Sequence, residues 1–317
     1  MTEFDLIRRY FTHAAPSALL GVGDDAALLQ MSAGNVLAVS TDMLVSGTHF
    51  LPDADPCMLG HKTLAVNLSD MAAMGATPRW AILAVALPKA DEAWLERFSA
   101  GFFSLADQYR VELVGGDTTR GPLNLCVSIF GEVPAQQALR RGGAQIGDEV
   151  WVSGTLGDAA LALAHLKNHI VLSAGELAAC APALHQPQPR VALGVALRGI
   201  ANSAIDISDG LFGDLGHILD ASQVAAEINF ALLPASTVLR PYMQQSLGRQ
   251  CVLSGGDDYE LCFTAPAMRH AEILSTSTRL ALPLTCIGKI VAGRGCAVRD
   301  ASGNLLDAEA GGYDHFR

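Results

Sequence analysis

Residues 62–78 read KTLAVNLSDMAAMGATP, and residues 36–42, ahead of them, read VLAVSTD. The first run is helical, apolar nearly all round, and its stop signals are Gly75 and Pro78, so a helix is predicted from about Pro56 to Met74. A helix apolar on every side is buried. Asp70 is therefore predicted to be a buried carboxylate, with Asn67 three residues before it on the same face. Val36-Leu37-Ala38-Val39 reads as a short buried strand that ends in the polar group Ser40-Thr41-Asp42.

Working outward, Trp80 to Leu87 is an apolar run of strand length, and Asp91 to Gln108 is a second helix with Trp94, Phe98, Phe102 and Leu105 on one face. A strand follows at Val111 to Val114, then an alternating one with Leu125, Val127 and Ile129 on one side. The order β-α-β-α-β-β is that of a split βαβ layer. Residues 134–147 are polar and glycine-rich and mark a boundary. Beyond it, strands are expected near Glu149–Ser153, Ala204–Ile207, Val224–Phe230, Val252–Ser254 and Glu260–Thr264. Helices fill most of the gaps, one of them opened by Pro189-Arg190 at the first helical position. The expectation is a two-domain α+β and α/β protein, with an N-terminal domain over 1–137 and a C-terminal α/β domain over 138–317.

A length of 317 residues fits two domains better than one core. The balance of 21 Lys and Arg against 32 Asp and Glu gives a net charge of −11, the wrong sign for a nucleic-acid binder. A protein this acidic that handled a nucleotide would need divalent cations between its carboxylates and the phosphates. The seven cysteines include no C-x-x-C pair and read as the reduced thiols of a cytoplasmic protein. MTEFDLIRRYF is amphipathic, with Phe4, Ile7 and Phe11 on one helical face, and lacks the apolar core of a signal peptide. No apolar run reaches the ~18 residues of a membrane-spanning helix.

Carboxylates recur in glycine-rich or strand-end positions: Asp24-Asp25 after Gly21-Val22-Gly23, Asp42, Asp117 after Gly115-Gly116, Asp206 and Asp209 in IDISDG, and Asp257-Asp258 after Gly255-Gly256. Ligand sites in α/β proteins favour the carboxyl ends of strands, so these turns are candidates to converge on one crevice. Each alone reads as an ordinary Gly-Asp turn. Asp70 is the exception: a buried charge is paired or bound to a metal, and we read it as a metal ligand, with a capping or interhelical hydrogen bond as the alternative. GVGDDA meets the loose dinucleotide fingerprint but puts two aspartates where a pyrophosphate would sit. The glycine run at 142–147 continues with Asp148 where a P-loop needs Lys, and IDISDG has His217 where an EF-hand needs Glu. What remains is a nucleotide site neutralised by metal ions, in which Mg²⁺ held by aspartates meets a polyphosphate.

At GVGDDAALL, STDMLVSGTHF, KTLAVNLSDMAAMGATP, LVGGDTTRGP, NSAIDISDGL, LSGGDDYELCFT and GGYDHF the sequence resembles the thiamine-monophosphate kinases, members of the aminoimidazole-ribonucleotide-synthetase-like superfamily of ATP-dependent enzymes. The resemblance implies an N-terminal α+β domain whose sheet pairs with its copy in a homodimer, and a C-terminal domain that closes the active-site cleft. It implies metal ligation by Asp25, Ser40, Thr41, Asp42, Asp70, Asp117, Asp206 and Asp209, with Asp42, Asp70 and Asp117 as the catalytic set. ATP would meet Gly116, Asp117, Arg141 and Ser208, and thiamine monophosphate would meet His49, Asp257 and Tyr313. Arg141 also suits phosphate from its glycine-rich turn alone. The family's usual Glu is Asp257 here, one methylene shorter. The implied reaction is phosphorylation of thiamine monophosphate by ATP with several Mg²⁺ ions, in the cytoplasm, without nucleic acid or membrane. The alternatives are a superfamily relative that activates another acceptor, and a nucleotide- and metal-binding protein without turnover.

Overall fold

The computed structural model describes residues 2–306. Its elements in chain order are α1 (Glu3–Leu6), a π-helical turn (Ile7–Phe11), β1 (Asn35–Val45), α2 (Pro56–Ala73), β2 (Thr77–Leu87), α3 (Glu92–Tyr109), β3 (Glu112–Arg120) and β4 (Asn124–Pro134). There follow β5 (Asp148–Ser153), α4 (Asp158–Leu166), α5 (Ala174–His185), α6 (Val191–Ala196), β6 (Ser203–Asp206), α7 (Leu211–Ser222) and β7 (Ala225–Asn229). The last are α8 (Ser246–Ser254), β8 (Leu261–Pro266), α9 (His270–Leu280), β9 (Leu284–Val291) and β10 (Gly295–Arg299). The chain divides into two compact units, one of residues up to 71 together with 76–136, the other of 72–75 together with 137 onward.

In the first unit the β-α-β-α-β-β order folds as a four-stranded sheet, β1-β4-β2-β3, in which only β2 and β3 run parallel. Asp55 caps α2 by accepting from the N–H groups of Cys57 and Met58, and Pro56 takes the first helical position, where its missing N–H costs nothing. Asp91 caps α3 through the N–H of Trp94. Leu95, Phe98, Phe102, Leu105 and Ala106 then form the buried stripe expected of a helix on a sheet. The two helices cross so closely that a Cβ on Gly60 would collide with the Phe98 carbonyl, and one on Gly101 with that of Cys57.

The helix-covered face of the sheet carries Leu44, Leu83, Val85, Leu125, Val127 and Ile129, all buried. On β1 the opposite face is open. Leu37, Val39 and Met43 alternate along it at 42, 56 and 52% exposure. The short buried strand expected at 36–39 is instead an eleven-residue edge strand that runs through Ser40-Thr41-Asp42. Alternate residues of an edge strand face out, and a polar residue facing out does not end it. At the N-terminus the buried face is Leu6, Tyr10 and Phe11, while Phe4 is 71% exposed. The π-helical turn shifts the register that a 3.6-residue period predicts.

The second unit holds a six-stranded sheet, β10-β7-β9-β5-β8-β6, mixed in direction, with only β10 and β7 parallel. Its core joins Val150, Val152, Leu161, Ile205, Leu215, Ile218, Val252 and Ile287. Val252–Ser254, expected as a strand, is the last turn of α8, because an apolar run this short has no readable period. Arg190 caps α6, so Pro189 lies just outside the helix and not at its first position. Among the described residues no helix is long and apolar enough to cross a membrane.

Candidate active site

In the first unit the site begins where β1 lies against α2. Ser40 donates its hydroxyl proton to the carboxylate of Asp70, and the Asn67 side-chain carbonyl accepts from the N–H of Asp42 at 3.2 Å. Asn67 also donates to the Thr63 carbonyl at 3.1 Å, so this buried amide is satisfied on both sides. Asp70 itself is only half-buried, although Leu64–Ser69, Met71 and Ala72 around it are buried. The expectation of full burial fails because α2 turns this one position toward β1 and its polar groups. Asp42 is half-buried and aligns across the sheet with Val127, Leu83 and Gly116, the row under the helices.

Two predicted ligands stand apart from these. Thr41 alternates to the open face and shares a hydrogen bond of 2.8 Å with its register partner Ser128. Asp117, exposed and inside β3 instead of following it, aligns with Ala84, Cys126 and Met43 on that same open face. β1 and β3 are opposite edges of the sheet, so three inter-strand spacings, about 14 Å, separate the backbones of Asp42 and Asp117. Asp25 is exposed in the loop ahead of β1, where its N–H donates to the Asp24 carboxylate at 2.9 Å.

His49 is half-buried in the turn after β1. Its Nδ1 accepts from the N–H of Val45 at 3.0 Å. A nitrogen that accepts carries no proton, so the neutral ring holds its proton on Nε2.

In the second unit Asp206, buried, ends β6 and the turn Ile207-Ser208-Asp209-Gly210 follows. The β6–β8 ladder runs on past the strands: Ile207 N–H donates to the Glu260 carbonyl, Tyr259 N–H to that of Ile207, and Asp257 N–H to that of Ser208, at 2.8, 2.8 and 2.9 Å. Asp257 and Tyr259 hold left-handed backbone, φ +69° and +49°, which residues with a Cβ adopt only when their surroundings compel it. Arg141 is exposed in a turn whose next N–H groups, of Gly143 and Ala144, both donate to the Ser222 hydroxyl at 3.1 Å. Tyr313 lies outside the described residues.

Two buried acids of this unit, Asp214 and Glu260, escaped the motif reading, and a third, Asp258, was named in its turn without a role. The Asp214 carboxylate accepts from the N–H groups of Ser208 and Asp209, and burial, with Asp206 and Asp209 nearby, raises it to about 7. Asp258 accepts from the N–H of Gly157 through both oxygens at 2.9 Å. Burial pushes it well above the usual carboxylate range, and the charges of Glu260, Asp158 and Asp257 push the same way. Glu260 takes a bidentate pair from Arg190 and the hydroxyl proton of Ser153. An acidic residue in the first turn of α7, and two more within GGDDYE, were the signals available.

Among the described residues no three His, Cys, Asp or Glu side chains gather closely enough to hold an ion by themselves. The donors of the predicted set are nevertheless all hard oxygens: carboxylates and the hydroxyls of Ser40 and Thr41. That fits Mg²⁺, which takes one or two carboxylates and completes its shell with water and substrate phosphate.

Residues 23–133 match the family model of the AIR synthase related protein N-terminal domain, and residues 145–301 match that of its C-terminal domain. The chain belongs to this family of two-domain proteins. It is 49% identical over 320 residues to the thiamine-monophosphate kinase of Escherichia coli K12, a match covering 99% of this chain and 98% of that one. The crystal structure of thiamine-monophosphate kinase from Stenotrophomonas maltophilia superposes with a TM-score of 0.85 at 49% identity, covering 93% of both chains. The structure of AaThiL complexed with AMPPCP and TMP does so with a TM-score of 0.77 at 31% identity, covering 90% of this chain and 89% of that one. Within the family, the chain belongs with the thiamine-monophosphate kinases.

Proposed function

We infer that this chain transfers the γ-phosphoryl group of ATP to thiamine monophosphate, giving ADP and thiamine diphosphate. The observation that carries the reading is the full-length match, near half identity, to a thiamine-monophosphate kinase. A related structure that holds AMPPCP and TMP supports it, since those ligands are an ATP analogue and, in this family, the acceptor. A cytoplasmic setting belongs to the same reading.

The acceptor needs no general base, because its phosphate oxygen is already anionic. That oxygen attacks the γ-phosphorus while the bond from phosphorus to the departing ADP oxygen breaks, in line. Ser40, Asp42 and Asp70, with Asp25, Thr41 and Asp117 and with Asp206 and Asp209 of the second unit, would hold several Mg²⁺ ions. When bound, these neutralise the phosphate charge. Arg141, Gly116 and Ser208 are assigned to the nucleotide, and Asp257 and His49 to the acceptor. His49 suits a binding role better than a covalent one. Its Nδ1 lone pair is engaged by the Val45 N–H and its Nε2 carries the proton, so in this tautomer neither nitrogen offers a lone pair to phosphorus.

A homodimer completes the reading. Leu37, Val39 and Met43 leave an apolar row open on β1, which a second copy would cover. Pairing of the two sheets would also bring one protomer's β1 edge toward its partner's β3 edge, the arrangement under which Asp42 and Asp117 can serve one ion.

Direct transfer is tested with γ-labelled ATP. Without acceptor the protein should stay unlabelled, and in the complete reaction a chiral γ-phosphorus should invert. Label on protein that chases into product, or net retention, would replace direct transfer with a phosphoenzyme.

A further inference from the structure

The turn that carries Ser208 and Asp209 takes its shape from outside the IDISDG motif. Asp214, 3% exposed in the first turns of α7, accepts the N–H of Ser208 and the N–H of Asp209 on one oxygen, Oδ2, both at 3.0 Å. Two successive N–H groups aimed at one atom curl the backbone around it. A capping residue would accept from N–H groups inside its own helix, but Asp214 reaches back past the cap residue, Gly210, to donors that precede the helix. Its role is to shape the turn. Helix α7 would start the same way without it, since the N–H of Asp214 donates to Gly210 regardless of the side chain.

The far side of the turn is held as well. The carbonyls of Ile207 and Ser208 accept from Tyr259 and Asp257, and a Cβ on Gly256 would press on the Ser208 carbonyl. The turn is thus gripped between a carboxylate and a strand extension whose own residues, Asp257 and Tyr259, sit at positive φ. Removing the carboxylate frees the Ser208 and Asp209 N–H groups and loosens the backing of Asp257.

The geometry points to Asp214 as a positioning residue for phosphoryl transfer: its Oδ2 fixes the 207–210 turn so that Ser208 and Asp209 on one side, and Asp257 through the Ser208 carbonyl, hold one arrangement. This role rests on the kinase reading. Because one oxygen does the accepting, an Asn amide oxygen can replace it and an Ala methyl cannot.

The test compares Asp214→Ala and Asp214→Asn in the full chain by amide hydrogen exchange at Ser208 and Asp209, by the KM for ATP and for thiamine monophosphate, and by Tm. In Asp214→Ala both amides should exchange at least roughly tenfold faster, and KM for ATP should rise by a similar factor, the scale of leaving buried N–H groups without an acceptor. Asp214→Asn should recover most of both. Unchanged exchange in Asp214→Ala, or a lowered Tm with both KM values unmoved, would overturn the role. If Asp214→Ala does not fold, Asp214→Asn decides by itself, and unprotected amides there would overturn it. Native protein without kinase activity would sink the kinase reading alone, since amide protection still reads the turn.

Discussion

The Ser40 hydroxyl on β1 donates to the Asp70 carboxylate on α2, joining the edge strand of the first unit to its most buried helix. Either this pair is a structural tie, or both side chains are metal ligands. The two differ in what a neutral amide does. Asp70→Asn keeps an acceptor for Ser40 but loses the charge. It should lower kcat by more than ~10²-fold with Tm within a few degrees of native. Normal turnover with a depressed Tm would make the pair a tie.

Asp42 and Asp117 lead to a prediction about assembly. On opposite edges of one sheet, they can share an ion only across two protomers. Asp42→Asn and Asp117→Asn should each be inactive alone. Mixed and allowed to exchange, they should recover about a quarter of native activity, since half the dimers are mixed and each mixed dimer has one intact pair. No recovery, with exchange shown by mass, would place the two residues in separate roles.

Metal dependence should exceed that of the nucleotide itself. Ligands spread over several elements call for ions beyond the one that accompanies ATP, so activity should keep rising as Mg²⁺ goes well above the ATP concentration. Saturation at stoichiometric Mg²⁺ would contradict this.

Asp258 and Asp158 predict how stability varies with pH. Burial raises both carboxyls in the fold, so the folded protein holds more protons than the unfolded chain at pH values above the ordinary carboxylate range. Unfolding free energy attributable to them therefore falls as pH rises from about 4 through their raised values. Asp258→Asn keeps an acceptor for Gly157 and carries no charge. Its Tm at pH 8 should match or exceed the native one, and the gain on acidification toward pH 5 should shrink. A large loss of Tm at pH 8, with the native pH slope retained, would mean that the ionised carboxylate stabilises this site.

The helices were legible because Trp94, Phe98, Phe102 and Leu105 repeat at helical spacing and Gly75 marks a stop, although Leu95 and not Trp94 opens the buried stripe. The candidate residues were legible through the strings that carry the family resemblance. The sheet order was not: nothing local in VLAVSTD or VGGDTT reveals that Asp42 and Asp117 lie on opposite edges, since pairing partners are set by residues far along the chain. Asp214 and Glu260 were missed, and Asp258 was named without a role, for a related reason. Their partners, the Ser208 and Asp209 N–H groups, the Gly157 N–H and Arg190, are brought to them only by the fold.

The most direct measurement incubates the protein with ATP, Mg²⁺ and thiamine monophosphate and follows ADP and thiamine diphosphate together by chromatography. The account predicts equal amounts of the two, with neither formed when thiamine monophosphate is omitted or replaced by thiamine. ADP release that ignores thiamine monophosphate, or tight nucleotide binding without thiamine diphosphate, would contradict it.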